Sequence, residues 1–306
     1  MTKTAFLFSG QGAQKLGMTR DLYDTYDVVK ATFDRASELL GYDLREIVDS
    51  DEAKLNETQY TQPAILTASV AILRLLEEHG VKPDMVAGLS LGEYTALVAS
   101  GALSFDDAVQ LVAKRGQYMT EAAPTGSGKM VAVMNTDPAL IEEICQKAAS
   151  KGIVSPANYN TPSQIVIGGE VEAVDYAVEL LQEAGAKRLI ELKVSGPFHT
   201  AILEPASVKL SAELEKVNFS AFQLPLISNT TAQVMKNDEV KALLTRQVKE
   251  PVRFYESVAT MQELGATRFI EVGPGKVLSG FIKKIDKSAD FSNVENLADF
   301  EKLTGI

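Results

Sequence analysis

The chain has 306 residues, of which 45% are hydrophobic and 23% are charged, so it is long enough to bury one large core or two smaller ones. Its 41 acidic and 30 basic residues leave a formal net charge of −11, which argues against a nucleic-acid partner because phosphate binding needs an excess of lysine and arginine. No apolar run reaches the roughly 18 residues that a membrane span requires, and no charged and apolar leader precedes the first predicted strand. We therefore expect a cytoplasmic protein that binds neither nucleic acid nor membrane, and its single cysteine, Cys145, fits a reducing compartment.

Strands and helices alternate along the first 125 residues, in the order that is typical of a parallel sheet. Strands are predicted at 5–9 and 85–89, and helices at 27–40, at 63–78 and from residues 91 and 105. A cluster of proline, glycine and serine at 124–128 then marks a boundary. Beyond it the predicted order is strand, helix, strand, strand, helix, strand, at 130–134, 138–150, 153–158, 164–168, 171–184 and 188–194. This βαββαβ order is typical of a ferredoxin-like unit.

We therefore predict an α/β fold in two parts. Residues 1–125 and 197–306 form a large α/β-hydrolase-like subdomain with a mainly parallel sheet, and residues 126–196 form an inserted ferredoxin-like small subdomain. Predicted helices near 204–217 and 239–248 and a strand at 268–272 belong to the large part. A cleft between the two parts is the expected substrate site.

A glycine-serine turn at 88–92 joins the predicted strand 85–89 to the helix that follows. Its sequence is Gly-Leu-Ser-Leu-Gly, with Ser90 at the centre. Glycine is needed two residues on either side because the turn leaves no space for a β-carbon. The first N–H groups of the helix lie beside the serine, where they stabilise negative charge. The pattern favours a serine nucleophile, and the alternative is a serine that caps a helix in a tight turn.

A serine nucleophile needs a base, and the chain has two histidines. His79 ends a predicted helix just before Gly80, where capping and the helix dipole explain it without any chemistry. His199 follows a glycine-proline turn after a predicted strand, a position from which a loop presents a side chain to a site. A lone histidine is more often a satisfied core or surface residue, but by elimination we predict His199 as the base.

Two polar residues occupy positions where the helical pattern calls for apolar ones. Arg115 continues the buried stripe of the helix that opens at Ser104, so its guanidinium points inward and needs a carboxylate. That carboxylate belongs either to the protein, as a structural salt bridge, or to a substrate. Gln247 continues the stripe of the helix before Pro251, and its side-chain carbonyl would accept the Nδ1 proton of His199 and fix the tautomer. The alternative for Gln247 is a buried amide bonded to backbone.

The glycine-rich turn after the first strand, at 9–12, lacks the third glycine of a dinucleotide site and the lysine of a phosphate loop. We expect this turn to supply an oxyanion contact instead. The main-chain N–H of Gln11 would act together with that of Leu91, the residue after the nucleophile, as in other enzymes with this elbow. The turn at 273–276 is also too short for a phosphate loop and is interpreted as a strand-to-helix connection.

Six segments carry a resemblance over nearly the whole chain. They are Phe-Ser-Gly-Gln-Gly at 8–12, Tyr-Thr-Gln-Pro-Ala at 60–64, the elbow at 88–94, Arg-Gly at 115–116, Asn-Tyr-Asn-Thr-Pro at 158–162 and Gly-Pro-Phe-His at 196–199. Together and in this order they resemble the malonyl-CoA:acyl carrier protein transacylases of bacterial type II fatty acid synthesis. The resemblance implies a ping-pong transfer, in which Ser90 attacks malonyl-CoA, CoA leaves, and the phosphopantetheine thiol of acyl carrier protein takes the malonyl group.

The same resemblance implies a role for each candidate residue. It makes Arg115 the ligand of the malonyl carboxylate, which outweighs the salt-bridge alternative, and it makes His199 the base with Gln247 as its orienting acceptor. The other positions that it assigns to the site are Gln11 and Leu91 as the oxyanion hole, and Gln62, Asn160 and Phe198 at the pocket. We expect no bound cofactor and no metal, malonyl-CoA and acyl carrier protein as partners, and a monomer.

One departure from the family concerns the residue before the nucleophile. Many members carry histidine there, where this chain has Leu89, so a pocket hydrogen bond from that imidazole is missing. Phe198 resembles the bulky residue of malonyl-selective relatives, in which it would crowd an α-methyl branch. We therefore expect selectivity for malonyl over methylmalonyl groups.

Two other functions compete with this one. A serine hydrolase of the α/β-hydrolase type shares the elbow and the histidine, but here 107 residues follow His199 and a glutamine stands in for the acid. A non-catalytic scaffold for carrier protein is disfavoured by the intact set of Ser90, His199 and Arg115. A hydrolase admits water to its acyl-enzyme, whereas a transferase excludes water until a thiol arrives.

Overall fold

A computed structural model describes residues 2–306, and within this range the chain forms nine strands and fourteen α-helices. The strands are β1 (Lys3–Phe8), β2 (Met85–Gly88), β3 (Lys129–Met134), β4 (Val154–Thr161), β5 (Gln164–Gly169), β6 (Leu189–Glu191), β7 (Val252–Arg253), β8 (Ala266–Val272) and β9 (Asp290–Val294). The helices are α1 (Arg20–Thr25), α2 (Asp27–Leu40), α3 (Leu44–Ser50), α4 (Glu52–Leu55), α5 (Thr58–Glu78), α6 (Gly92–Ala99), α7 (Phe105–Ala122), α8 (Pro138–Ala148), α9 (Val171–Glu183), α10 (Glu204–Leu214), α11 (Val240–Gln247), α12 (Phe254–Glu263), α13 (Val277–Ile285) and α14 (Leu297–Thr304).

Four strands form a parallel sheet in the order β2-β1-β8-β9. Residues 5–8 of β1 are all buried, because helices cover both faces of this sheet. This burial explains why the strand reads as a continuous apolar run rather than an alternating one. Leu226 makes one further parallel bridge to Val86 of β2, so the segment after it runs beside the strand that leads to the elbow.

Helix α5 is buried along most of its length, with 16 of its 21 residues buried. It begins at Thr58, five residues before the start predicted at Pro63. Proline is common at the first helical position, but inside a helix it removes one hydrogen bond, and burial of the surrounding residues compensates for that loss here. The extra turn matters because it carries Gln62 into the protein interior.

Five strands form a second sheet in the order β6-β3-β5-β4-β7. Strands β3 to β6, with helices α8 and α9, form the predicted βαββαβ unit, and neighbouring strands within it are antiparallel. Their spatial order is fourth, first, third, second, which is the arrangement of a ferredoxin-like unit. The predicted fold class, an α/β fold with a mainly parallel sheet and a second ferredoxin-like sheet, is confirmed.

The fifth strand of the second sheet comes from outside the segment 126–196. Residues Val252 and Arg253 of β7 pair in parallel with Asn158 and Tyr159 of β4. A two-residue strand carries no alternating pattern, so the sequence offered no signal for it. The boundaries at 126 and 196 stay a prediction, and the second sheet extends beyond them by this strand.

The core is divided among clusters on the faces of the two sheets. Phe6 and Phe8 pack against α2, α5 and α7, whereas Ala5 and Leu7 on the other face pack against α12 and α13. A third cluster lies between the second sheet and helices α8 and α9. A Cβ atom on Gly168 of β5 would come within 3.3 Å of the Thr200 side chain. The second sheet therefore lies close to the chain around position 199.

Candidate active site

Ser90 lies in the turn between β2 and α6, with a backbone φ of +56°. The predicted need for glycine on both sides is visible in the packing. A Cβ atom on Gly88 would overlap the main-chain carbon of Gly92, and one on Gly92 would overlap the main-chain oxygen of Phe8 at the end of β1. The elbow is therefore wedged against the neighbouring strand, and its serine is presented beyond the carboxyl ends of the parallel strands.

Both the serine and the histidine have left-handed backbones. His199 has φ of +62°, and a non-glycine residue in this region costs about 1–3 kcal/mol. Its main-chain N–H donates to Val248 O at 3.1 Å, which ties this loop to the end of α11. Such strain persists only where the surroundings hold it, and it concentrates at functional sites.

Ser90 Oγ lies 2.7 Å from His199 Nε2, which is hydrogen-bond distance between a nucleophile and its base. On the other side of the ring, Nδ1 lies 2.7 Å from the main-chain oxygen of Gln247. A carbonyl oxygen only accepts, so Nδ1 carries the proton and Nε2 is free to accept the proton of Ser90. Gln247 therefore contacts His199 as expected. The prediction that its side-chain carbonyl makes this contact is wrong, because the main-chain oxygen makes it.

Burial, followed by the nearby Arg115 cation, lowers the pKa of His199 to about 4. Its ordinary value is about 6.5, so the ring is neutral at neutral pH. A neutral imidazole with a free Nε2 is the form that a general base needs.

Arg115 is 1% exposed and projects from α7 into the same site. Its Nη1 donates to Gln62 Oε1 at 2.9 Å, and its Nη2 donates to Gln247 Oε1 at 2.9 Å and to Ser90 Oγ at 3.2 Å. The guanidinium also lies over the ring of Tyr94, 5.3 Å from its centroid. The side chain of Gln247 is therefore committed to the arginine rather than to the histidine.

No carboxylate lies within 4.0 Å of the Arg115 guanidinium among residues 2–306, and its Nε has no hydrogen-bond partner there. The salt-bridge alternative is therefore wrong for this side chain. All its protein acceptors are neutral, and burial lowers the pKa of Arg115. A buried cation with neutral acceptors and a spare donor is electrostatically suited to an anionic ligand.

The two expected oxyanion donors belong to different turns of the chain. Leu91 precedes the first residue of α6, and Gln11 lies in the turn after β1. Within residues 2–306, neither main-chain N–H is bonded to a protein acceptor. The N–H of Ser90, in contrast, donates to Asn229 Oδ1 at 2.7 Å. The N–H groups of Leu91 and Gln11 are thus free to donate, and their role as an oxyanion hole stays a prediction.

The side chain of Gln11 links the turn after β1 to three neighbours. Its Nε2 donates to Thr58 Oγ1 at 3.0 Å and to Ser195 Oγ at 3.3 Å, and its Oε1 accepts from Gln62 Nε2 at 3.4 Å. Because Gln62 also accepts from Arg115, these contacts join the arginine to the turn that carries an oxyanion donor.

Asn160 and Phe198, which were also expected at the pocket, make no hydrogen bond to Ser90, His199 or Arg115. Asn160 lies on β4, where its Nδ2 donates to Gln164 Oε1 at 3.1 Å. Its buried Oδ1 has no partner within residues 2–306. Phe198 precedes the histidine and is 9% exposed, and Leu89 is half-buried against an apolar cluster.

Two buried polar residues of the site were missed by the sequence patterns. Asn229 contacts Ser90, as described, and its own N–H donates to Glu93 Oε2 at 2.6 Å. Glu93 is wholly buried in the first turn of α6, and this burial raises its pKa to about 7. The signal that could have found Asn229 is the apolar pair Leu226-Ile227, which runs beside β2 and ends in polar residues, as strands do where ligands bind.

The residues described, 2–306, hold no group of three or more histidine, cysteine, aspartate or glutamate side chains placed to bind a metal ion. Over the same residues, no helix combines the length and the apolar character that crossing a membrane requires.

Comparison with known proteins shows the family of the chain. The sequence model of the acyl transferase domain matches residues 5–302. The chain is 46% identical over 290 residues to the malonyl CoA-acyl carrier protein transacylase of Bacillus subtilis, covering 94% of this chain and 92% of that protein. The crystal structure of MCAT from Streptococcus pneumoniae is 68% identical, with a TM-score of 0.98 and 99% of each chain covered.

A third relative, 42% identical with a TM-score of 0.95 over the whole of both chains, is a malonyl-transacylase in complex with its type II polyketide synthase acyl carrier protein in the holo form. These findings confirm the resemblance carried by the six segments. The chain therefore belongs to the acyl transferase family, in the group of the malonyl CoA-acyl carrier protein transacylases.

Proposed function

We propose that the protein moves a malonyl group from malonyl-CoA to the phosphopantetheine thiol of acyl carrier protein through a malonyl ester on Ser90. The observation that carries this proposal is the buried Arg115 guanidinium, which has no carboxylate partner within residues 2–306 and lies 3.2 Å from Ser90 Oγ. A malonyl thioester presents a carboxylate at one end and a reactive carbonyl at the other, so one substrate fits both groups.

In the first half of the reaction, His199 Nε2 takes the proton of Ser90 as Oγ attacks the thioester carbonyl. The negative oxygen of the tetrahedral intermediate is held by the N–H groups of Leu91 and Gln11. The C–S bond then breaks, His199 returns the proton to the CoA thiolate, and the malonyl group remains as an ester on Ser90. The contact from Arg115 to Oγ stabilises negative charge on that oxygen during attack.

The second half repeats these steps with a different nucleophile. His199 takes the proton of the phosphopantetheine thiol, the thiolate attacks the ester, and Ser90 leaves with the proton that His199 gives back. Acyl carrier protein as the acceptor is supported by the relative that was solved with its holo carrier protein.

A serine hydrolase of the α/β-hydrolase type would use the same nucleophile and base. Hydrolases with this elbow orient the histidine with an acid, whereas Nδ1 of His199 faces a main-chain carbonyl. This difference supports the transferase.

The mass of the intact protein after brief mixing with malonyl-CoA tests the proposal. The wild type should gain one malonyl group, Ser90→Ala should gain none, and added holo acyl carrier protein should remove the group from the enzyme and carry it. Acetyl-CoA, which lacks the carboxylate, serves as the control substrate and should label the enzyme far more slowly. An enzyme that gains no adduct, or whose adduct decays to free malonate whether or not the carrier is present, contradicts the proposal.

A further inference from the structure

Asn229 is wholly buried, and its single amide group binds the main chain of the elbow at two residues, Gly88 and Ser90. Its Oδ1 accepts the N–H of Ser90 at 2.7 Å, and its Nδ2 donates to the main-chain oxygen of Gly88. One planar side chain therefore binds the backbone just before the turn and at its centre. These two contacts restrain the segment whose left-handed residue presents the nucleophile.

The contact to the N–H of Ser90 also limits which main-chain N–H groups of the elbow can bind an oxyanion. An elbow offers several N–H groups to a developing oxyanion, and this one is taken up by Asn229. The N–H of Leu91, one residue later, has no acceptor in the part of the chain that the structure describes. Asn229 thereby sets both the position of Ser90 and the direction from which the oxyanion is bound.

Glu93 in turn holds Asn229. Its Oε2 accepts the main-chain N–H of Asn229 at 2.6 Å, and its Oε1 lies 3.4 Å from Gln247 Nε2. The same Nε2 donates to the main-chain oxygen of Ser90 at 2.9 Å. The N–H and the C=O of the nucleophile are thus each bonded to a buried amide, and both amide residues contact one buried carboxylate.

We propose that Asn229, held by Glu93, is a positioning residue for Ser90. The inference rests on the proposed function, because it assigns Asn229 a role in forming the malonyl ester. Asparagine suits the place because one short side chain must both accept and donate. Aspartate would keep the acceptor for Ser90 but lose the donor for Gly88 and add a negative charge near Glu93, while alanine would lose both contacts.

The rate at which malonyl-CoA forms the ester on Ser90 tests the inference. This rate is measured by rapid quenching and intact-protein mass over a range of malonyl-CoA concentrations. For Asn229→Ala we expect the maximum rate to fall by roughly 10²-fold, since misplacement of a reacting group by about 1 Å costs this much. For Asn229→Asp, which keeps the acceptor for Ser90 but sets a carboxylate oxygen against the main-chain oxygen of Gly88, we expect the maximum rate to fall as well. The concentration that gives half the maximum rate should stay within about twofold in both, because Arg115 keeps its contacts with Gln62 and Gln247.

Thr230→Val is the matched control. Thr230 is the next residue in the same buried loop, and its hydroxyl has no hydrogen-bond partner within residues 2–306. Valine keeps its shape, so the variant should form the ester at the wild-type rate. The final labelled fraction and thermal unfolding report how much of each variant is folded.

The outcomes separate this inference from the proposed function. If either Asn229 variant labels at the wild-type rate, or loses only the labelled fraction in proportion to its unfolding, the positioning role is overturned. If the wild type itself is not labelled by malonyl-CoA, the proposed function has failed instead. Should Asn229→Ala not fold, Asn229→Asp, which conserves the volume, decides the question alone.

Discussion

Replacing Arg115 with methionine should change which acyl group the enzyme accepts. Methionine keeps much of the length of the side chain but removes the charge from a site that is 1% exposed. In the proposed complex the guanidinium binds the malonyl carboxylate, and no protein carboxylate within residues 2–306 competes for it at 4.0 Å or less. The substitution therefore removes an interaction that malonyl-CoA makes and acetyl-CoA cannot make.

The expected loss of kcat/KM follows from the burial of the pair that Arg115 forms with the malonyl carboxylate. Removing one partner from a buried, hydrogen-bonded charge pair costs about 2–5 kcal/mol, which is between about 30-fold and several thousand-fold in kcat/KM. The loss should appear for malonyl-CoA, while acetyl-CoA should be affected much less. The ratio of the two kcat/KM values should then fall by about the same factor.

The assay is steady-state transfer from each thioester to holo acyl carrier protein, with Arg45→Met as the matched control. Arg45 is also a buried arginine, but it pairs with Asp49 at 2.6 Å on α3, and its replacement should alter stability without changing the ratio. Arg115→Lys should recover part of the malonyl activity, because lysine restores the charge but not the planar fork. Equal losses for malonyl-CoA and acetyl-CoA in Arg115→Met would refute this reasoning, since they would show that the arginine acts through Ser90 or the structure and not through the malonyl carboxylate.

Three further predictions concern the base, the pocket and the elbow. The pKa of His199 is lowered to about 4 and the base acts when deprotonated, so kcat/KM should rise with pH around 4 and be level by pH 6. A rise centred at about pH 6.5 would contradict this assignment. Arg115→Met should shift the rise to higher pH, because the Arg115 cation is the second cause of the lowered pKa. Phe198→Ser should improve methylmalonyl relative to malonyl transfer by an amount equivalent to about 1–3 kcal/mol, and an unchanged ratio of the two turnover rates would end the selectivity hypothesis. Gly92→Ala, whose Cβ would overlap the main chain at the end of β1, should lower the free energy of unfolding measured in urea by about 3 kcal/mol or more. Gly280→Ala, in the open interior of α13, should raise that free energy by about 0.5–1 kcal/mol. Similar values for the two variants would count against the packing argument.

The features that the sequence determined by itself are those encoded in neighbouring residues. The spacing of Gly88 and Gly92 around Ser90 describes a tight turn because steric exclusion acts over a few residues. The inward direction of Arg115 follows from helical periodicity within one helix. His199 could be chosen because the chain has two histidines and the other one has a capping role. The order of elements between 129 and 191 likewise predicted the ferredoxin-like unit.

The tertiary structure decided the contacts between residues that are distant along the chain. Asn229 lies 139 positions from Ser90, and no local pattern relates the two until the segment after Leu226 is placed beside β2. The same holds for Gln247 at the end of α11, because only the folded structure shows that its main chain binds His199 and its side chain binds Arg115. Hydrogen bonds are directional over about 3 Å, so their partners depend on how sheets and helices pack, and periodicity along the chain carries no such information.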